Sequence, residues 1–118
     1  MLNPWPTELR VDRARSGLSI TFDDGQSFAL PAEFLRVESP SAEVQGHSAA
    51  QKQTVAGKRH VKIVSIEPVG NYAARIIFDD GHDTGLYSWD YLRELGHDQN
   101  AKWSMYLSAL RKIGGSRE

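Results

Sequence analysis

The residues able to do chemistry are few and scattered along the chain. There is no cysteine among its 118 residues, which excludes thiolate nucleophiles, disulfides and any cysteine-based zinc or iron–sulfur ligation by this chain. The four histidines are His47, His60, His82 and His97, and no two stand at the i, i+4 spacing that sets paired ligands on one helix face. Non-haem iron oxygenases need two histidines and a carboxylate, usually opened by His-x-Asp/Glu on a strand. Here the residues two after each histidine are Ala49, Lys62, Thr84 and Gln99, so that motif is absent. The pairs Asp23-Asp24 and Asp79-Asp80 resemble acid–base pairs or magnesium ligands, but adjacent carboxylates on a strand face opposite sides and do not share a site. Ser39 and Ser41 fall in a stretch read as loop, with nothing in the sequence to set a histidine base beside them, so no Ser/His/Asp triad is expected. The chain reads as a non-enzyme.

The elements that position these residues come in two similar sets. Ser19-Ile20-Thr21-Phe22-Asp23-Asp24-Gly25 runs through Phe28-Ala29-Leu30 to Phe34-Leu35-Arg36. Arg75-Ile76-Ile77-Phe78-Asp79-Asp80-Gly81 runs through Gly85-Leu86-Tyr87 to Tyr91-Leu92-Arg93. The offset from Phe22 to Phe78 is 56 residues, and each copy reads strand, Phe-Asp-Asp-Gly, strand, short helix ending in Leu-Arg. Asp-Gly between strand-like runs predicts a hairpin with a type I′ turn. Glu8 to Asp12 alternates and adds an outer strand; His60 to Ile66 leads through Gly70-Asn71, a second two-residue turn, into Tyr72 to Phe78. Pro31 opens a short helix through Val37, and Ser88 caps one carrying Trp89, Leu92 and Leu95 that stops at Gly96. The last helix starts at Asp98 or Asn100 and aligns Trp103, Tyr106, Leu107, Leu110 and Ile113 in one apolar stripe before Gly114-Gly115. The fold class is α+β: mainly antiparallel hairpins in a pseudo-repeat, with short helices and a C-terminal amphipathic helix. Residues 1–118 form a single domain, with a flexible loop over about residues 38–58.

Composition narrows the partners. A net charge of −1 gives no footprint for nucleic acid or an anionic membrane, and no apolar run or leader-like N-terminus is present, so the protein is expected in the cytoplasm. Lys52, Lys58, Arg59, His60 and Lys62 read as solvated charge. Tyr72, Tyr87, Trp89, Tyr91, Trp103 and Tyr106 read as core and core rim.

Three stretches resemble a known family: Leu35-Arg36-Val37-Glu38-Ser39-Pro40-Ser41-Ala42-Glu43-Val44, Pro68-Val69-Gly70-Asn71-Tyr72, and Phe78-Asp79-Asp80-Gly81-His82-Asp83-Thr84-Gly85-Leu86-Tyr87-Ser88-Trp89-Asp90-Tyr91-Leu92. The family is the γ-butyrobetaine hydroxylase-like N-terminal domain, here of the stand-alone bacterial type without an oxygenase domain. In the hydroxylases the resemblance implies a structural zinc, held by three cysteines and one histidine. The histidine matches His82, while the cysteine positions match Ser39, Ser41 and Val44, none of which supplies a thiolate. No cofactor is therefore expected.

The reading that follows is a non-catalytic binding or scaffold domain for an unknown protein partner. Its contact surface is expected over Glu38, Ser39, Ser41, His47, His82 and Asp83. The resemblance also implies self-association into a homodimer or docking to an enzyme. The alternative is a metal-handling protein for iron, zinc or a cluster, using His82 and carboxylates.

Overall fold

Both Phe-Asp-Asp-Gly segments reverse the chain by the same bonds. The computed structural model describes residues 4–46 and 51–118. In the first turn Gly25 N–H donates to Phe22 C=O at 3.0 Å and Phe22 N–H to Gln26 C=O at 2.8 Å; in the second Gly81 N–H donates to Phe78 C=O at 3.2 Å and Phe78 N–H to His82 C=O at 3.0 Å. These are three-residue loops, a β-turn followed by a glycine at φ 89°, and not the expected two-residue type I′ turns. The reason lies in Asp24 and Asp80, which keep negative φ and use a side-chain oxygen to accept the N–H of Gln26 (3.1 Å) and His82 (3.0 Å). Gly70 likewise opens a three-residue loop, because Val69 pairs with Ala73.

The strands β1 (Pro6–Val11), β2 (Gly17–Phe22) and β3 (Ser27–Pro31) form one antiparallel sheet, followed by α1 (Ala32–Val37) and α2 (Ala42–Gln45). The strands β4 (Ile63–Val69), β5 (Ala73–Phe78) and β6 (Leu86–Ser88) form the second, followed by α3 (Trp89–His97) and α4 (Gln99–Lys112). The repeat holds to the level of irregularities. Pairing shifts between Pro6 and Glu8 in β1 and between Ile63 and Ser65 in β4. Asp23 exchanges bonds with Trp5 (2.9 and 3.2 Å) as Asp79 does with Lys62 (2.9 and 2.9 Å). Helix entry is matched too: Ala32 N–H meets Ser16 C=O at 2.8 Å, and Trp89 N–H meets Tyr72 C=O at 3.0 Å.

Alternation puts one face of each sheet into a shared core. Leu18, Ile20, Phe22 and Leu30 from the first repeat meet Ile63, Ile76, Phe78 and Tyr87 from the second, with Leu35 of α1 and Leu92 and Leu95 of α3 between them. Each such side chain contributes roughly 1.5–3 kcal/mol on burial, so neither three-stranded half has reason to fold without the other.

Three local expectations change. The α3 helix passes through Gly96 to His97, because Gly96 is there for contact: a Cβ on it would lie 2.3 Å from the Phe28 ring. In α4 the buried stripe is Tyr106 and Leu110 against Val37, while Ile113 is 58% exposed past the helix end. The expected loop over 38–58 is ordered in its first part, where Glu38, Ser39, Ser41 and Val44 are buried around α2. Ser41 caps that short helix by accepting Glu43 N–H at 3.2 Å, and burial comes from contacts with the second repeat that polar composition does not reveal.

Candidate functional site

Two sequence-distant segments meet where α1 hands over to α2. Ser39 Oγ lies 2.8 Å from His82 Nε2, and Ser41 Oγ lies 2.7 Å from Thr84 Oγ1. The other ring nitrogen, His82 Nδ1, faces Glu43 Oε2 at 3.3 Å, and Thr84 Oγ1 donates to Glu43 Oε1 at 3.3 Å. Ser41 N–H donates to Ser39 Oγ at 3.3 Å, and Gln45 donates to the Ser39 carbonyl at 2.8 Å. Beside this cluster Asp80 accepts from Arg36 at 2.8 Å and from Lys58 at 2.6 Å.

The protonation states follow from these contacts. Burial disfavours the His82 imidazolium, and the Arg36 charge adds to that, outweighing the pull of Glu43 and Asp80; His82 therefore sits below its usual range. A carboxylate only accepts, so neutral His82 carries its proton on Nδ1 toward Glu43 and accepts the Ser39 hydroxyl at Nε2. Burial alone would raise Asp80, but Lys58, the His82 N–H and Arg36 hold it at about 2. Burial drives the Tyr87 and Tyr91 phenols upward, and each donates to a backbone oxygen, Leu35 C=O and Glu38 C=O respectively, both at 2.5 Å.

Ser39, His82 and Glu43 thus stand in the order of a serine-hydrolase triad, contrary to the expectation that no histidine lies beside Ser39. The geometry does not extend to a working nucleophile. Ser39 is fully buried, and Gly85 packs against it so closely that a Cβ there would lie 2.6 Å from the hydroxyl. A substrate carbonyl needs room at that oxygen and donors for its oxyanion. The hydroxyl is instead a strut between two loops.

The same positions test the family's zinc. Ser39 meets His82, as the resemblance implies, Ser41 bonds Ser39 and Thr84 beside it, and Val44 is buried on α2. Two neutral hydroxyls and an isopropyl group give no thiolate, and His82 uses both nitrogens within the cluster. The donor set does not fit zinc. Among the described residues no group of three or more His, Asp or Glu side chains is placed to hold a metal ion, so the metal-handling alternative is not favoured.

The expected contact surface is corrected by burial. Glu38, Ser39, Ser41 and His82 are all buried, because they tie the repeats together and do not face outward. Asp83 is half-exposed, with a carboxylate oxygen 3.7 Å from Arg75; His47 lies outside the described residues. Glu43, Thr84 and Arg36 complete the cluster and were not singled out from sequence, and Lys58, expected as solvated charge, is bound to Asp80. For Arg36 a signal was present: both repeats carry Leu-Arg and Asp-Asp-Gly, and each arginine reaches the other repeat's aspartate, Arg36 to Asp80 and Arg93 to Asp24. Within the basic cluster, Lys52 pairs with Glu38, Lys58 with Asp80 and Arg59 with Glu118, while Lys62 reaches the Ala14 carbonyl.

Comparisons with known proteins agree with this geometry. Two proteins solved in solution by NMR superpose on the chain, one with TM-score 0.85 and 50% identity over 98% of this chain and 86% of its own, the other with TM-score 0.84 and 44% identity over 98% and 90%. A crystal structure from Acidithiobacillus ferrooxidans, of a protein of unknown function in the DUF971 family, matches with TM-score 0.65 and 40% identity over 77% of this chain and 91% of its own. No curated protein matches. The family model described as gamma-butyrobetaine hydroxylase-like, N-terminal, matches residues 9–93, and the chain belongs to that family.

Proposed function

We propose that this chain is a non-catalytic binding domain that docks a protein partner in the cytoplasm. The observation that carries this reading is the sealed Ser39 hydroxyl, fully buried and held between His82 and Ser41. Among the described residues it turns the arrangement that resembles a catalytic site into a fold tie, and leaves the outer surface to do the work. The surface that suits a partner is the groove between α4 and residues 51–54, a cavity of about 280 Å³. Val37, Tyr106 and Ala109 give it an apolar floor, Lys52 and Lys102 stand at its sides, and Met105 projects with 71% exposure. A flexible thioether over an apolar floor takes up an apolar side chain, while Lys52 and Lys102 at its sides are already paired with Glu38 and Glu94.

Quantitative affinity capture from the native cell tests this. A protein retained in stoichiometric amount by the unaltered chain and lost from Met105→Glu, with the amide NMR spectrum otherwise intact, is the expected result. Equal retention by both chains removes the groove from the proposal, and hydrolysis of activated esters dependent on Ser39 would overturn the non-catalytic reading.

A further inference from the structure

The two repeats differ at their free edges. Among the described residues, strands β1 and β4 each have a single strand neighbour, β2 and β5. The outer edge of β4 is closed. Ile63 N–H donates to Arg15 C=O at 2.8 Å, and the Arg15 guanidinium donates to Val64 C=O at 2.8 Å. Farther along, Pro68 has no amide hydrogen to offer. Pro68 lies opposite Ala74 as Val11 lies opposite Leu18, so Val11 is its counterpart in β1, and Val11 keeps its N–H.

The phase of the β1 ladder shows what that edge presents. Asp12 N–H bonds to Gly17 C=O at 3.1 Å, and inward and outward residues alternate along an antiparallel pair. Arg10 and Glu8 therefore bond to β2, while Leu9 and Val11 turn their N–H and C=O groups outward. Leu9 is 37% exposed although it lies opposite core-facing Ile20. An edge of this kind recruits another strand.

We infer that β1 pairs antiparallel with β1 of a second copy, about a twofold axis through Leu9. The charges select this occupant and this register. With Leu9 facing itself, Glu8 of each chain stands opposite Arg10 of the other, so the exposed Glu8–Arg10 pair at 2.9 Å within each chain can be exchanged for two opposite-charge cross-strand pairs from one self-complementary surface. Moving the axis to Arg10 would set arginine against arginine and Glu8 against Asp12, which like-charge repulsion disfavours. The two Leu9 side chains meet on the core-facing side and extend the apolar face across a six-stranded sheet. This assembly uses neither the α4 groove nor the Ser39 cluster, so it stands or falls independently of partner docking.

Sedimentation velocity of the full chain from about 10 μM to about 1 mM, the range suited to a small interface, reads the association. The unaltered chain is expected to shift toward dimer with concentration, and more weakly at high salt. Arg10→Glu, which leaves only carboxylates across each pair, should weaken association by about tenfold. The double swap Glu8→Arg with Arg10→Glu should restore it. Because the chain has no cysteine, Leu9→Cys provides a single thiol, and its closeness to its own copy across a hydrogen-bonded pair, about 5.5 Å between Cα atoms, suits a disulfide. Oxidation should cross-link Leu9→Cys but not Val64→Cys on the closed edge. A chain that stays monomeric throughout, or a dimer indifferent to the Arg10 reversal, overturns the inference.

Discussion

Arg36, in the helix of the first repeat, holds the Asp80 carboxylate in the turn of the second at 2.8 Å. The mirror contact, Arg93 to Asp24, joins the second repeat's helix to the first repeat's turn. The two differ in surroundings. Arg36 is buried and shares Asp80 with Lys58, and its Nη1 has no hydrogen-bond partner among the described residues; Arg93 is half-buried over the Phe22 ring at 4.9 Å, and its aspartate, Asp24, is more exposed than Asp80. Removing one partner of a buried pair strands the other charge, whereas an exposed pair contributes little.

Arg36→Ala should therefore destabilise the fold by about 2–3 kcal/mol, below the usual cost of breaking a buried pair because Lys58 still neutralises Asp80. Arg93→Ala should cost about 1 kcal/mol. Urea unfolding of the two variants checks the ordering.

Acid should weaken the protein in two steps. His82 titrates below its ordinary 6.5 in the folded chain, so the unfolded chain binds more protons as the pH falls. Its contribution is complete above the unfolded value and declines as pH drops through and below about 6.5. Asp80, held at about 2 against 3.8, adds a second loss as pH falls below 3.8 toward 2. Gln26 occupies the turn position in the first repeat that His82 fills in the second, so His82→Gln is the variant that fits the site. Melting temperatures measured down the pH scale should show the first slope in the unaltered chain and a flatter one in His82→Gln.

The places where the chain reverses and the repeat were legible because their chemistry is local: aspartate and glycine fix a reversal within five residues, and alternation then assigns the strand faces, although the loops have three residues and not two. The Ser39–His82 contact was not legible. It joins residues 43 positions apart, and nothing in a Ser-Pro-Ser stretch announces burial. Polar composition likewise concealed α2, four residues long and capped by one serine. Gly96 was misread for a related reason, since a glycine near a helix end signals a stop from sequence alone, and only the Phe28 ring from another strand explains it.

Close packing at two glycines gives a direct check on those long-range contacts. A Cβ at Gly96 would meet the Phe28 ring at 2.3 Å, and one at Gly85 would meet Ser39 Oγ at 2.6 Å. Gly96→Ala has better helix propensity by about 1 kcal/mol, yet overpacking of about 1–3 kcal/mol opposes it, so a net loss in thermal stability is expected. Gly85→Ala should displace Ser39 and shift the His82 ring resonances in an NMR spectrum. At Gly25 the added Cβ meets nothing within 4 Å, so Gly25→Ala carries only the strain of φ 89° and should leave His82 unmoved.

The cluster at Ser39 also predicts what would convert it to a metal centre. Its backbone already brings one of the family's cysteine positions, Ser39, to His82 and a second, Ser41, to Ser39, with the third, Val44, buried on α2. What it lacks is thiolate charge. The triple variant Ser39→Cys, Ser41→Cys, Val44→Cys should therefore hold one zinc ion per chain, with affinity falling at acid pH as protons compete for the sulfurs. The unaltered chain, prepared without an affinity tag, should carry zinc well below one equivalent by elemental analysis. If the triple variant folds and takes no zinc, the three side chains do not converge on His82, and the equivalence of this cluster with the family's metal site is wrong. If it binds and His82→Gln then removes the ion, the histidine is confirmed as the fourth ligand, freed from Ser39 once the hydroxyl is gone.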